Sequence, residues 1–324
     1  MNTPASPNAA NTEFSRRVEA LIDRFTQRRP VRANSLLVTI FGDSICPHGG
    51  TVWLGSLIKL VDPLGINQRL VRTSVFRLTQ EGLLRSEQIG RRSYYSLTSK
   101  GLRQFATASM RIYNNRKPGW DGRWRLVFTS LGNITQDERD KISQELRWLG
   151  FGRLAPGVFG HPTADLEPVR EVVRDLKLDN KVAIMLATAQ DDEDSATPSS
   201  ALVKQCFELE SMDAAYESFI DTYDPILNAA RKLKKFESDQ CFFLRTLLIH
   251  DFRRILLAEP GLPFELIPEQ SVSHHAWTIT QSLYHVVARP AEAHLMQTCE
   301  TQSGQLPPAM DEFQVRFGGI KQAS

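Results

Sequence analysis

Between residues 67 and 80 the chain brings together side chains suited to a polyanion: Gln68, Arg69, Arg72, Thr73, Arg77 and Gln80. At 100° per residue, Arg69, Arg72, Thr73, Phe76, Arg77 and Gln80 gather on one helical face, while Leu70, Val71, Ser74, Val75 and Leu78 form the other. Guanidinium groups hold phosphates and pair bidentately with guanine, and a threonine methyl can meet a thymine methyl. Asn67, just before the run, has the short side-chain acceptor of an N-cap. Phe76 is the odd member of the polar face and is expected to pack on a neighbouring hairpin. That hairpin is read from Leu83 to Gln88 and Ser93 to Leu97, flanking Ile89-Gly90-Arg91-Arg92, which puts Arg91 and Arg92 at its tip. The candidate contacts to double-stranded DNA are therefore Asn67, Gln68, Arg69, Arg72, Thr73, Arg77, Gln80, Arg91 and Arg92.

A second cationic group, Arg245, His250, Arg253 and Arg254, lies in one apolar helix and follows Arg231, Lys232, Lys234 and Lys235. At helical spacing these four cannot share one narrow face. They either grip a phosphorylated small molecule or belong to an ion-paired surface between helices or subunits, with Asp251 or Glu259 as partners. Other chemistry finds little support. Cys46, Cys206, Cys241 and Cys299 have no Cys or His at ligand spacing and read as buried thiols in a reducing compartment. His274 and His275, read as lying on a loop, lack a carboxylate cluster. There is no G-x-S-x-G, no P-loop and no dinucleotide fingerprint, so neither an enzyme nor a cofactor is expected.

These residues must be positioned by elements, and the apolar periodicity supplies them. At 324 residues, 41% hydrophobic and 23% charged, the chain is long enough for two or three folded units. Residues up to about Asn11 are expected to be a mobile tail, followed by an amphipathic helix on Val18, Leu21, Ile22 and Phe25. Ser35 to Phe41 reads as a core helix closed by a loop over Ser44 to Gly50. Trp53, Leu54, Leu57, Ile58 and Val61 form the next helix, stopped by Asp62-Pro63-Leu64-Gly65. Its short link to the helix at Asn67, followed by the basic hairpin, makes a winged helix-turn-helix over 31–119.

From Trp120 the pattern becomes β-α-β-β-α-β: a strand over Arg123 to Leu131, a helix from Thr135 with a Thr-x-x-Glu capping box, two strands over Phe151 to Gly160, a helix over Glu167 to Leu178 and a strand over Lys181 to Ala187. This is a ferredoxin-like domain over 120–190, followed by an acidic connector from Gln190 to Ser200. Helices over Leu202 to Phe236, Gln240 to Leu257 and His275 to Thr298 form an α-helical domain over 200–303, and 304–324 reads as a frayed tail. The fold class is α+β and multidomain, with residues 1–30 as tail and first helix.

Charge follows the same division. Residues 31–125 hold fifteen Lys and Arg against five acids, whereas 126–324 hold nineteen against twenty-nine. A basic first third beside an acidic remainder points to a polyanion partner for the first third alone. No run approaches the ~18 apolar residues of a membrane span, and the N-terminus lacks a signal peptide's basic start and apolar stretch. The expectation is a cytoplasmic protein without a membrane partner.

The sequence resembles the PaaX family, repressors of phenylacetate degradation and related aromatic catabolism, from about Ser35 to Leu295. The resemblance is carried by Val71-Arg72-Thr73-Ser74-Val75-Phe76-Arg77-Leu78, Trp120-Asp121-Gly122-Arg123-Trp124, Leu154-Ala155-Pro156-Gly157-Val158-Phe159, and Leu244 through Arg254 followed by Glu259-Pro260-Gly261-Leu262-Pro263. It implies a homodimeric repressor, bound to operator DNA and released by an aromatic acyl-CoA thioester such as phenylacetyl-CoA. Arg245, His250, Arg253 and Arg254 would then hold the CoA phosphates, with Phe242, Phe243 or Phe252 lining a slot for the ring. After Leu266-Ile267-Pro268 the family's Trp-Pro-Gly turn is replaced by Glu269-Gln270-Ser271-Val272-Ser273-His274-His275-Ala276-Trp277, which leaves the acyl group open.

Two rival classes follow from the same residues. The middle domain resembles small CRISPR-associated ferredoxin-like nucleases, which carry a metal-binding Asp at the end of the first strand. Here that strand ends Phe128-Thr129-Ser130-Leu131 without a carboxylate, which disfavours a metal-dependent nuclease. An architectural DNA-binding protein would not need nearly two hundred residues of acidic, folded modules.

Overall fold

The computed structural model describes residues 7–28, 32–114, 119–188, 198–207, 209–257, 261–266 and 272–320. The chain divides into two compact units. The first comprises residues 1–115, 217–256 and 275–324, and the second 116–216 and 257–274.

The first unit opens with α1 (Pro7–Gln27), which starts four residues before the expected end of a tail. Its buried positions Phe14, Val18, Leu21 and Phe25 recur at helical spacing. After α2 (Ala33–Ile40) the chain does not enter the expected loop. It continues through a π-helical turn, Phe41–Ile45, and a 3₁₀ turn, Cys46–His48, ending at Gly49 with φ +83°. The turn keeps Phe41, Asp43 and Ile45 all inside. Trp53, expected on the next helix, instead closes strand β1 (Thr51–Trp53), where it pairs with Tyr94.

Helix α3 (Leu54–Val61) stops at the Asp62–Leu64 3₁₀ turn, and α4 (Gln68–Gln80) follows at once. β2 (Leu84–Ile89) and β3 (Arg92–Leu97) form the hairpin, and the antiparallel sheet order is β1-β3-β2. α5 (Ser99–Tyr113) is capped by Thr98, whose side chain accepts from the Gly101 amide.

In the second unit, β4 (Arg123–Phe128), α6 (Gln136–Trp148), β5 (Gly152–Ala155), β6 (Val158–His161), α7 (Glu167–Asp175) and β7 (Ala183–Thr188) run in the expected order. The sheet order β5-β6-β4-β7, antiparallel throughout, is that of a ferredoxin-like domain. The Thr135 capping box forms in full: Thr135 Oγ1 accepts from the Glu138 amide, and Glu138 accepts from the Thr135 amide at 2.9 Å. Val127, Ile142, Leu146, Phe159 and Val169 make its core.

A second apolar cluster joins Trp124 to Val203, Phe207, Leu262 and Leu266, so α8 (Ser199–Cys206) and the Gly261–Leu266 segment complete this unit. Gly152 is required there, because a Cβ at that position would collide with the Cys206 carbonyl. Residues 189–197, most of the expected connector, and 267–271, which include the first three residues of the departure from the family's turn, lie outside the described residues.

The remaining helices are α9 (Leu209–Ala230), α10 (Ser238–Leu256) and α11 (Val272–Thr298). The single helix expected over Leu202 to Phe236 is thus two, α8 and α9. His274 and His275, expected on a loop, are exposed in the first turn of α11. The helical stretch expected as its own domain over 200–303 does not cluster alone: 217–256 and 275–324 join residues 1–115. The physical reason is α10, buried almost continuously from Cys241 to His250 and so in need of cover on every side. It packs on α1, α2 and α5.

The expected frayed C-terminus is also folded over its described residues, 304–320. The two-residue strands β8 (Glu300–Thr301) and β9 (Gly304–Gln305) pair, and α12 (Asp311–Gln314) with the Arg316–Gly318 turn buries Phe313, Arg316 and Phe317.

Candidate nucleic-acid interface and the buried ion network beneath it

Helix α4 separates its faces as the wheel predicts. Val71, Ser74, Val75 and Leu78 are buried, and Gln68, Arg69, Arg72, Thr73, Phe76, Arg77 and Gln80 are exposed. Asn67 takes the N-cap role, its Oδ1 accepting from the Leu70 amide at 3.0 Å. Thr73 donates its hydroxyl to the Arg69 carbonyl at 3.0 Å, so that hydroxyl is satisfied inside the helix. With its amide oriented to satisfy both groups, Gln68 accepts from the Arg72 guanidinium at 3.0 Å. Arg69, Arg72 and Arg77 form no ion pair among the described residues. A guanidinium row without ion pairs on an exposed helix face is available to phosphates and base edges, with only the neutral Gln68 amide to displace from Arg72.

The hairpin is less open than its sequence suggests. Its two-residue loop is Gly90-Arg91, with Ile89 opposite Arg92 and Gly90 at φ +58°, the left-handed backbone such a turn demands. Arg91 is exposed at the tip. Arg92 begins β3, donates to Glu300 at 2.7 Å and lies 4.3 Å from the Trp53 ring centroid. Gln302 donates to Glu87 of β2 at 2.9 Å, so the β8-β9 segment braces the hairpin along one side. The two arginines therefore differ: Arg91 is free of ion pairs among the described residues, and Arg92 is engaged. Phe76, expected to pack on this hairpin, remains 61% exposed.

The second cationic group does not assemble into a surface. Arg245 is fully buried, with Nε 3.0 Å from Asp43, Nη1 donating to Glu292 at 2.6 Å and Nη2 donating to Ser44 at 3.0 Å. Burial opposes its charge, but Asp43 and Glu292 more than restore it and raise its pKa. His250 is buried with Nδ1 3.0 Å from Thr39 Oγ1, and burial pushes its pKa down to about 4. Arg253 donates to Thr39 Oγ1 at 2.8 Å and to the Ser35 carbonyl at 3.0 Å, tying α10 to α2. Arg254 alone of the four is exposed. Asp251 pairs with Arg28 at 3.1 Å and with the Tyr223 hydroxyl at 3.1 Å, while Glu259 lies outside the described residues. Of the two readings left open by the sequence, Arg245, His250 and Arg253 take the interhelical one. Phe242, Phe243 and Phe252 are likewise buried.

The network around Arg245 extends well beyond the residues the sequence singled out. Asp43 accepts from Tyr113 at 2.6 Å, Tyr284 at 3.0 Å and Arg316 at 3.2 Å. Arg316 also donates to the Asp43 carbonyl at 2.7 Å and stacks 4.0 Å from the Tyr113 ring centroid. Glu292 meets His48 at 2.8 Å, and the other His48 nitrogen donates to the Pro307 carbonyl at 2.6 Å. Burial alone would raise the Glu292 carboxyl, but Arg245 and His48 outweigh it and hold it below its ordinary value. Two carboxylates, two guanidiniums and His48 thus meet in the interior. A lone Asp43 inside the apolar run Leu36 to Ile45 was the available sequence signal, but its partners lie some 70 to 270 residues away.

Fold and site together define a multidomain α+β protein with a cationic helix-and-hairpin face. Among the described residues no group of three or more His, Cys, Asp or Glu could hold a metal ion, and no helix is long and apolar enough to cross a membrane.

Three family models match the chain in succession: PaaX-like protein over residues 32–101, the PaaX protein central Cas2-like domain over 117–199, and the PaaX-like protein C-terminal domain over 207–297. The chain is 34% identical over 310 residues to the transcriptional repressor PaaX of Escherichia coli (strain K12), covering 94% of this chain and 96% of that protein. It belongs to the PaaX family, a family of transcriptional regulators and not of enzymes. Among solved structures, the uncharacterized protein Rv0674 from Mycobacterium tuberculosis aligns with 74% of this chain and 89% of its own, at 21% identity and a TM-score of 0.47.

Proposed function

We propose that the protein is a cytoplasmic, homodimeric repressor of an aromatic-compound operon of the phenylacetate type, released from its operator by an aromatic acyl-CoA such as phenylacetyl-CoA. In this reading α2 to β3 form a winged helix-turn-helix, α4 enters the major groove, and the β2-β3 hairpin tracks the backbone. The observation that carries it is the exposed row Arg69, Arg72 and Arg77 on α4, without ion pairs among the described residues, one short turn after α3. Membership of the PaaX family supports the same reading. Asn67 positions the helix; Gln68, Arg69, Arg72, Thr73, Arg77 and Gln80 face DNA, and Arg91 reaches phosphate with Arg92 beside it.

The experiment is operator binding by Arg72→Ala and Arg77→Ala. Each should lose about 1–3 kcal/mol and relax preference at one position. Unchanged affinity and preference in both would remove α4 from the groove.

For release, an acyl-CoA must prefer the conformer that cannot span two half-sites, and a hundredfold preference shifts that balance by about 2.7 kcal/mol. Exposed Arg254 and the exposed Arg231, Lys232, Lys234 and Lys235 are the cations left to meet its phosphates. His250 and Arg253 contribute by fixing α10 against α2, on which α4 is seated, and Arg245 by fixing it to the π-helical turn that follows α2. Calorimetric titration with aromatic and aliphatic acyl-CoAs, free CoA and the free acids tests this reading. Absence of thioester binding would overturn the effector class, and normal binding by Arg254→Ala would take Arg254 out of the site.

A further inference from the structure

Phe76 is 61% exposed in the middle of the cationic face of α4. It lies one turn after Arg72 and Thr73 and one turn before Gln80. The core has no need of it, because Val71, Ser74, Val75 and Leu78 already bury the opposite face. Among the described residues it makes no aromatic or cation–π contact, and in the first unit it is the exposed large aromatic side chain. A ring left in water on a recognition surface otherwise made of charged and polar groups has an apolar target to find, and hydrophobic burial supplies the driving force. The major-groove floor offers one apolar group, the 5-methyl of thymine. The neighbouring Thr73 hydroxyl donates to the Arg69 carbonyl, which leaves it able only to accept from a base edge.

We propose that Phe76 is a specificity-determining residue that reads the 5-methyl group of one or two thymines in the bound site. The proposal rests on the placement of α4 in the major groove, and the test keeps the two separable. The full-length chain is first used to select duplexes from a random double-stranded library. Each thymine of the enriched duplex is then replaced in turn by uracil, which removes the methyl and nothing else. Binding of the parent and of Phe76→Ala is followed by fluorescence anisotropy.

At one or two positions the parent should weaken about fourfold, the factor set by burying one methyl-sized group, and Phe76→Ala should be indifferent to the same change. Equal losses in parent and variant at every position, or no sensitive thymine at all, would overturn the proposal while leaving α4 in the groove. Failure to enrich any duplex would overturn the interface and the proposal with it. A Phe76→Ala chain with an altered sedimentation coefficient would assign the ring to a protein contact and overturn it as well.

Discussion

Neutralising Asp43 tests whether the buried ion network holds the first unit together. Asp43→Asn keeps the shape of the side chain but removes the counter-charge of Arg316, for which Asp43 is the carboxylate partner among the described residues. It also leaves Arg245 with Glu292 alone. Whichever way it turns, the Asn NH2 would face groups that now donate to Asp43: the Tyr113 and Tyr284 hydroxyls on one side, Arg245 and the Ser44 hydroxyl on the other. Breaking a buried pair on one side costs about 3–5 kcal/mol, because a charge is left without compensation in the interior. For a unit of about two hundred residues, each kcal/mol moves the midpoint by roughly 2–4 °C, so the expected loss is roughly 6–20 °C. The assay is thermal unfolding by far-UV circular dichroism of Asp43→Asn, Arg316→Met and the double variant, read on the transition of the first unit. Because Arg316→Met removes the orphaned charge, the double variant should be more stable than the two single losses predict. Strict additivity, or an Asp43→Asn loss below about 1 kcal/mol, would refute the claim that these charges stabilise one another.

The two hairpin arginines should behave differently: Arg91→Ala should flatten the dependence of log affinity on log salt by about 0.9, one phosphate contact, and Arg92→Ala by less, because Glu300 already holds that guanidinium at 2.7 Å. Conversely, Glu300→Gln should tighten DNA binding at low salt, and a weaker or unchanged affinity would remove the competition from the picture. His250, with its pKa pushed from 6.5 to about 4 by burial, stays neutral in the fold while the unfolded chain takes up a proton, so its contribution to stability is present above pH 6.5 and is lost as pH falls toward 4. At pH 5 the loss is about 2 kcal/mol, and denaturant melts of the parent and His250→Gln at pH 7.5 and 5 should show it in the parent only. Truncation after Pro308 removes Phe313, Arg316 and Phe317, uncovering Tyr113 and Tyr284, and should lower the midpoint of the first unit even though the family models end at residue 297; an unchanged midpoint would show the segment to be dispensable.

Much of this was legible in the linear chain wherever the determinant was local. The inward stripe of α4, the Asn67 cap, the Thr135 capping box and the β-α-β-β-α-β order each depend on residues within one or two turns, so periodicity and spacing revealed them. The sequence by itself also determined that α4 carries an arginine-rich outer face, since a 3.6-residue repeat leaves those side chains nowhere else to go. Tertiary structure alone decided what the other cations do. Arg92 and Arg91 are adjacent and chemically identical, yet Glu300 and Trp53 engage only the first. Arg245 and Arg254 sit on the same helix, but one is buried between Asp43 and Glu292 and the other is in water. The C-terminal residues from Gly304 read as frayed because their partners, His48, Asp43 and Tyr113, lie some 200 to 270 residues earlier. Charge pairing and burial are set by distance in space, which a one-dimensional pattern does not encode.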